Sequence, residues 1–388
     1  MLQSGQNNNV LQKPHVVYGL LDWGLGHTMR SIPIISHLIE LNCNVLVACN
    51  SDQKLVLIKE FPEIKYQELE GYELRYATKG WLTILYIILQ IPKILIKINR
   101  ENRWLKGFLL ANKADFIVSD NRYGFYSSKI PSIFITHQLS IKTGLGSWAD
   151  KLIRFFNYRS IKKFTTCWVP DWSGKENLAG PLSHPVQLPT VPVQWLGALS
   201  RFESCIQQTQ RKTDILIILS GPEPQRTLLE KKILDDAILI SRPFVLVRGL
   251  PGNTDALNTP EHIKVFNYLP TNELNNYLCN AGNVISRSGY TSIMDYMKLG
   301  VKAILIPTPG QAEQQALATH LQQSGLALCI QQNEFSLASA LERAAAFSYK
   351  IHSWDMEQYK HVINEYIFAG KMASPLASLR RPKGRREL

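Results

Sequence analysis

"HVVYGLLDWGLGHTMRSIPIISHLIEL", residues 15 to 41, passes from an unbroken apolar run through a glycine-rich turn into apolar residues at helical spacing. Such a run reads as a strand covered on both faces, and the turn opens a helix. Gly24 and Gly26 permit a tight backbone and close approach of a ligand. The first amides of the helix then face outward with partial positive charge. This is the strand–turn–helix unit of a doubly wound sheet, with a polar binding site at its turn.

The same rhythm recurs along the chain. Strand-like runs stand at 44–49, 115–120, 132–137 and 166–171, and again at 214–221, 244–249, 263–269, 283–289 and 302–308, with helical patterns between many of them. Alternating β and α elements over 388 residues predict an α/β protein of two Rossmann-like doubly wound parallel-sheet domains facing across a cleft. The proline-rich stretch "SHPVQLPTVPVQWLG" (183–197) reads as their connection. The expected organisation is a flexible leader 1–14, a first domain 15–195, a second domain 196–350, a helix 351–370 returning to the first domain, and a basic tail 371–388.

Composition narrows the class. The polar start lacks the apolar core of a signal peptide, so a cytoplasmic location is expected, peripheral at the inner face of the membrane if the basic segments rest on it. The six cysteines form no CxxC pair and no zinc-like set with histidine, so all are expected as buried thiols. The net charge of +12 is concentrated in residues 79–106 and 371–388, each with six basic side chains against one acidic. No nucleic-acid recognition motif accompanies them, and an anionic membrane surface is the better partner. In 79–106, Lys93, Lys97, Arg100 and Arg103 alternate with isoleucine, and Trp81 and Trp104 suit an interface. The apolar run is too short to span a bilayer, and Pro92 is expected to break or kink any helix through it.

Three further turns carry polar chemistry. "LSGPEPQR" places Ser220, Gly221, Gln225 and Arg226 between a strand and a helix, where free amides and these side chains can face an anion. "SRSGYTSIMD" does the same with Ser288, Gly289, Tyr290, Thr291 and Ser292, and sets Asp295 one turn further in, near a ribose if a nucleotide lies there. "PTPGQAEQQ" brings Glu313, Gln314 and Gln315 to a helix start, where carboxylate and amide groups can address several sugar hydroxyls.

In this order, "GLGHTMR", "LSGPEPQR", "SRSGYTSIMD" and "PTPGQAEQQ" resemble the GT-B glycosyltransferases of the family 28 type. "SDNRYGFY", "FITHQL" and "CWVPDW" are similar to a group of uncharacterised bacterial glycosyltransferases, and the likeness runs from about 15 to 332. It implies a nucleotide-sugar donor, commonly UDP-linked, on the second domain and an acceptor glycan or glycolipid on the first. By that resemblance Ser288 to Ser292 face the diphosphate, Asp295 the ribose, Gln314 and Gln315 the donor sugar, and backbone groups of Tyr268 and Leu269 the base. Asp295 stands where the peptidoglycan branch of the family has Glu, one methylene longer.

The resemblance also turns Gly24, Gly26 and His27 toward the donor phosphates and acceptor hydroxyl, with His27 the candidate general base and Arg30 one turn on. Asp22, Asp120 and His137 end strands of the same domain and stand as rival bases. With no DxD triplet present, the expected reaction is metal-independent, inverting glycosyl transfer without a cofactor. A nucleotide-sugar 2-epimerase of the same architecture, or an inert sugar-nucleotide or lipid-binding module, is the alternative.

Overall fold

The computed structural model describes residues 13–72, 83–205, 213–238, 240, 242–350 and 352–372. Residues 1–12 of the expected leader, Trp81 and residues 373–388 of the basic tail lie outside them. The first sheet has seven strands in the order β3-β2-β1-β4-β5-β6-β7. Its strands are β1 (His15–Leu20), β2 (Asn44–Cys49), β3 (Lys65–Glu68), β4 (Phe116–Asp120), β5 (Ser132–Ile135), β6 (Thr166–Val169) and β7 (Val193–Trp195). The second has six in the order β10-β9-β8-β11-β12-β13. These are β8 (Thr213–Ile218), β9 (Phe244–Val247), β10 (Ile263–Phe266), β11 (Ala281–Ser286), β12 (Ala303–Leu305) and β13 (Leu328–Cys329). Neighbouring strands pair parallel in both.

Each sheet reverses its winding beside its first strand, between β1 and β4 and between β8 and β11. Crossovers leave in opposite directions there, so the loops part and open a crevice at the carboxyl ends of the strands. The register sets Leu20 beside Asp120, and Ile218 beside Ser286. Three of the glycine turns singled out in the sequence are therefore those that flank the two switch points.

Helices α1 (Leu25–Glu40), α2 (Ser51–Glu60), α3 (Thr83–Ala111) and α4 (Ser147–Ile161) surround the first sheet. Around the second lie α5 (Gln225–Ala237), α6 (Thr271–Asn280), α7 (Tyr290–Leu299), α8 (Ala312–Ser324) and α9 (Leu337–Ala346). One apolar cluster joins the two halves, with Leu196, Leu199 and Phe202 of the connection packed with Ile293, Met294 and Leu317. The last helix, α10 (Gln358–Met372), returns to the first sheet. There Tyr366 packs against Phe116 and Trp168, and Gln358 donates to the Trp195 carbonyl.

Three expectations need correction. Of the break or kink expected at Pro92, the break is absent, because helix α3 continues through it, with its second half anchored by buried Leu105 and by Trp104 and Phe108 packed beneath it. The stretch 183–197 is not connection alone, because it contributes the edge strand β7. Cys205 and Cys279 are joined in a disulfide while Cys43, Cys49, Cys167 and Cys329 are free. The bonded pair is 74 residues apart, a spacing that carries no local sequence signal.

Candidate active site at the two switch points

At the first switch point, Gly24 has φ of 76° and caps α1, a conformation that a side chain would strain. Gly26 is small for another reason: a Cβ there would stand 3.2 Å from Thr291 Oγ1 of α7. Thr291 Oγ1 donates to the Gly26 carbonyl at 3.1 Å, so the two glycine-bearing turns touch across the cleft.

Behind this turn is a buried charge network. Asp120 is fully buried at the end of β4 and accepts from Arg30 Nε at 2.9 Å, from Arg30 Nη2, and from Ser31 Oγ at 3.2 Å. His27 Nδ1 lies 3.1 Å from Asp120 Oδ1 and 2.9 Å from Arg30 Nη2. Burial works to raise the Asp120 carboxyl, but the Arg30 charge and then His27 outweigh it and hold the group well below the usual carboxylate range. Burial and Arg30 lower His27, against the pull of Asp120. An imidazole so placed is neutral at pH 7.

The four candidate bases now separate by what their atoms are doing. Asp22 Oδ1 accepts from the Tyr72 amide at 2.9 Å, on the side away from Asp120. Asp120 is paired with a guanidinium. His137 Nδ1 accepts from Arg30 Nη1 at 3.2 Å while its Nε2 donates to Glu313 at 2.8 Å, which leaves neither nitrogen open. His27 Nε2 makes no hydrogen bond among the described residues.

The second switch point gathers the other turns. Gly221, with φ of 101°, ends β8 ahead of α5, and Gly289 precedes α7. Ser288 Oγ donates to the Gln314 carbonyl, and Tyr290 lies flat on His137 with ring centroids 4.2 Å apart. Ser292 lies in the first turn of α7. The backbone groups of Tyr268 and Leu269, just past β10, make no hydrogen bonds among the described residues.

Several side chains are engaged otherwise than the sequence leads one to expect. Arg226 turns inward to Glu223 and Glu230. Gln314 accepts from the Thr308 amide and donates to Gln311, which braces its own loop, while Gln315 is exposed. Asp295 is buried and accepts from Ser200 Oγ of the connection at 2.6 Å. Burial raises its carboxyl to about 6, against Arg201 and that hydrogen bond.

On the outer face of the first half, Lys93, Arg100 and Arg103 are exposed, whereas Lys97 donates to the Gly71 carbonyl at 2.7 Å. Sequence reading missed α4, where Trp148, Leu152, Phe155 and Phe156 line one face and are exposed by 67%, 49%, 61% and 54%. Spacing alone cannot separate an apolar face turned to the core from one turned outward. Among the described residues no cluster of His, Cys, Asp or Glu side chains is arranged to hold a metal ion, and no helix is long and apolar enough to cross a membrane.

Solved glycosyltransferases share this architecture. Spinosyn forosaminyltransferase SpnP superposes with a TM-score of 0.59 at 14% identity, covering 92% of this chain and 99% of that one. UGT2 of Phytolacca americana, solved with UDP-2-fluoro-glucose and pterostilbene, gives 0.58 at 12% identity over 95% and 96%. The chain is also 23% identical over 324 residues to the UDP-N-acetylglucosamine–N-acetylmuramyl-(pentapeptide) pyrophosphoryl-undecaprenol N-acetylglucosamine transferase of Buchnera aphidicola subsp. Schizaphis graminum, spanning 80% of this chain and 83% of that protein. The two parallel sheets are the GT-B architecture of these glycosyltransferases. More particularly, residues 250–360 match the glycosyltransferase family 28 C-terminal domain.

Proposed function

We propose that the chain transfers a sugar from a UDP-linked donor on the second sheet to an acceptor hydroxyl on the first, with inversion and without a metal ion. The observation that carries this is the open Nε2 of His27, whose Nδ1 is backed by an ionised, buried Asp120. His27 Nδ1 faces both the Asp120 carboxylate and the donor Arg30 Nη2, and the reaction runs through the tautomer with the proton on Nδ1, directed to Asp120, in which the Nε2 lone pair takes the acceptor proton. The acceptor oxygen forms its bond to the anomeric carbon as the carbon–phosphate oxygen bond breaks. The electron pair leaves with the diphosphate, whose charge is met by the turns before α5 and α7. Asp120 supports the imidazolium that forms, against burial and the Arg30 charge.

The donor roles follow the turns: Ser220, Gly221, Gln225 and Ser288 to Ser292 at the diphosphate, the Tyr268 and Leu269 backbone at the base, and Glu313 to Gln315 around the sugar. Asp295 is assigned to the ribose, and one of its oxygens already accepts from Ser200. The acceptor is lipid-linked in this reading, because α3 and α4 present a basic and an apolar surface on its side of the cleft. Sedimentation with vesicles tests that part: binding requires anionic lipid, weakens with salt, and falls when Lys93, Arg100 and Arg103 are neutralised. Protein left in the supernatant at low salt makes the acceptor soluble.

The transfer itself is tested by UDP release from a panel of UDP-sugars, with and without a polyprenyl-linked glycan extract. Release that depends on the extract supports transfer. Interconversion of donor sugars without it establishes the epimerase instead.

A further inference from the structure

Arg287 is 1% exposed, yet among the described residues no carboxylate pairs with it. Its Nη2 donates to the carbonyl of Gln225, the first residue of α5, at 2.7 Å, and its Nη1 to the Ile306 carbonyl at 3.3 Å. Its Nε has no partner. A guanidinium at a helix N-terminus opposes the helix dipole, and a buried cation without a counter-charge is costly. Burial alone pushes it down to about 10.

A second unpartnered group meets it at the same turn. Thr308 is 2% exposed, its hydroxyl makes no hydrogen bond among the described residues, and that hydroxyl stands 3.8 Å from where a Gly221 Cβ would be. The amides of Ser220 and Gly221 are also unbonded among the described residues. The nearby arginines differ: Arg226 and Arg248 are both paired with Glu230.

We propose that Arg287 is the positive charge held for the diphosphate of the ligand, with Thr308 as the neutral donor beside it. Arg287 acts as a positioning residue: it ties the turns of β8, β11 and β12 around the anion and supplies field from below, without touching the sugar. The identity of the ligand as a nucleoside diphosphate rests on the function proposed above; the anion site does not.

Calorimetry on the full chain with inorganic pyrophosphate, UDP and uridine separates the two. The wild type binds pyrophosphate and UDP, and Arg287→Met weakens both at least tenfold while uridine binds unchanged. Arg287→Lys, which keeps the charge, recovers UDP binding to within a few fold. A folded Arg287→Met protein that binds pyrophosphate and UDP normally, or loses uridine equally, overturns the proposal, as does a wild type that binds no diphosphate. Should Arg287→Met not fold, Thr308→Val decides: weaker pyrophosphate with unchanged uridine supports the site, and unchanged pyrophosphate overturns it. Arg287-dependent pyrophosphate binding with no affinity for uridine leaves the anion site standing and removes UDP as donor.

Discussion

The carboxyl edges of the two sheets are built from the same strand–glycine–helix turns, yet they balance charge in opposite ways. At the first, Asp120 is met by Arg30, His27 and Ser31, and Arg30 extends to His137, which closes on Glu313 across the cleft. At the second, among the described residues, Arg287 has no carboxylate and the Thr308 hydroxyl no hydrogen-bond partner. A general base needs its orientation fixed before the substrate arrives, and paired charges supply that. An anion site works the other way, because a cation already neutralised from within has little left to offer a phosphate. The function proposed above places chemistry at the first edge and donor capture at the second.

The comparison can be broken from the paired side first. Arg30→Met leaves Asp120 buried without its cation and is expected to destabilise the protein by about 3–5 kcal/mol, read from chemical denaturation. A loss below about 1 kcal/mol would mean that the network at the first edge is not the charge balance described.

A smaller effect sits at Asp295, where the second half grips the connection through Ser200. Its folded pKa of about 6 lies above its unfolded value near 3.8, so the unfolded state releases the proton first as pH rises. Stability from this group is complete below pH ~4 and declines toward pH ~6, by about 3 kcal/mol. Asp295→Asn should flatten that decline in denaturation midpoints across the window. An unchanged slope removes Asp295 as its source.

Much of this was legible in the sequence, for local reasons. Apolar runs without alternation marked the parallel strands, and Gly24 and Gly221 marked turns that need positive φ. Contacts between distant residues were not legible. Nothing near Asp295 announces Ser200, 95 residues away, and nothing near Cys205 announces Cys279. Arg226 and Arg287 both stand beside glycine-rich turns, but only the fold shows the first turned onto Glu230 and the second without a carboxylate. Likewise, Asp22, Asp120 and His137 stood as rivals to His27 until their hydrogen bonds were traced.

The most direct test of the account is His27→Ala, with turnover and UDP affinity measured on the same preparation. Loss of the open Nε2 should lower turnover by about 100-fold or more while UDP binds within about threefold of wild type, because the base acts on the acceptor proton and not on the donor. Near-normal turnover, or a fall in UDP affinity as large as the fall in rate, contradicts it and makes His27 a ligand of the phosphate instead.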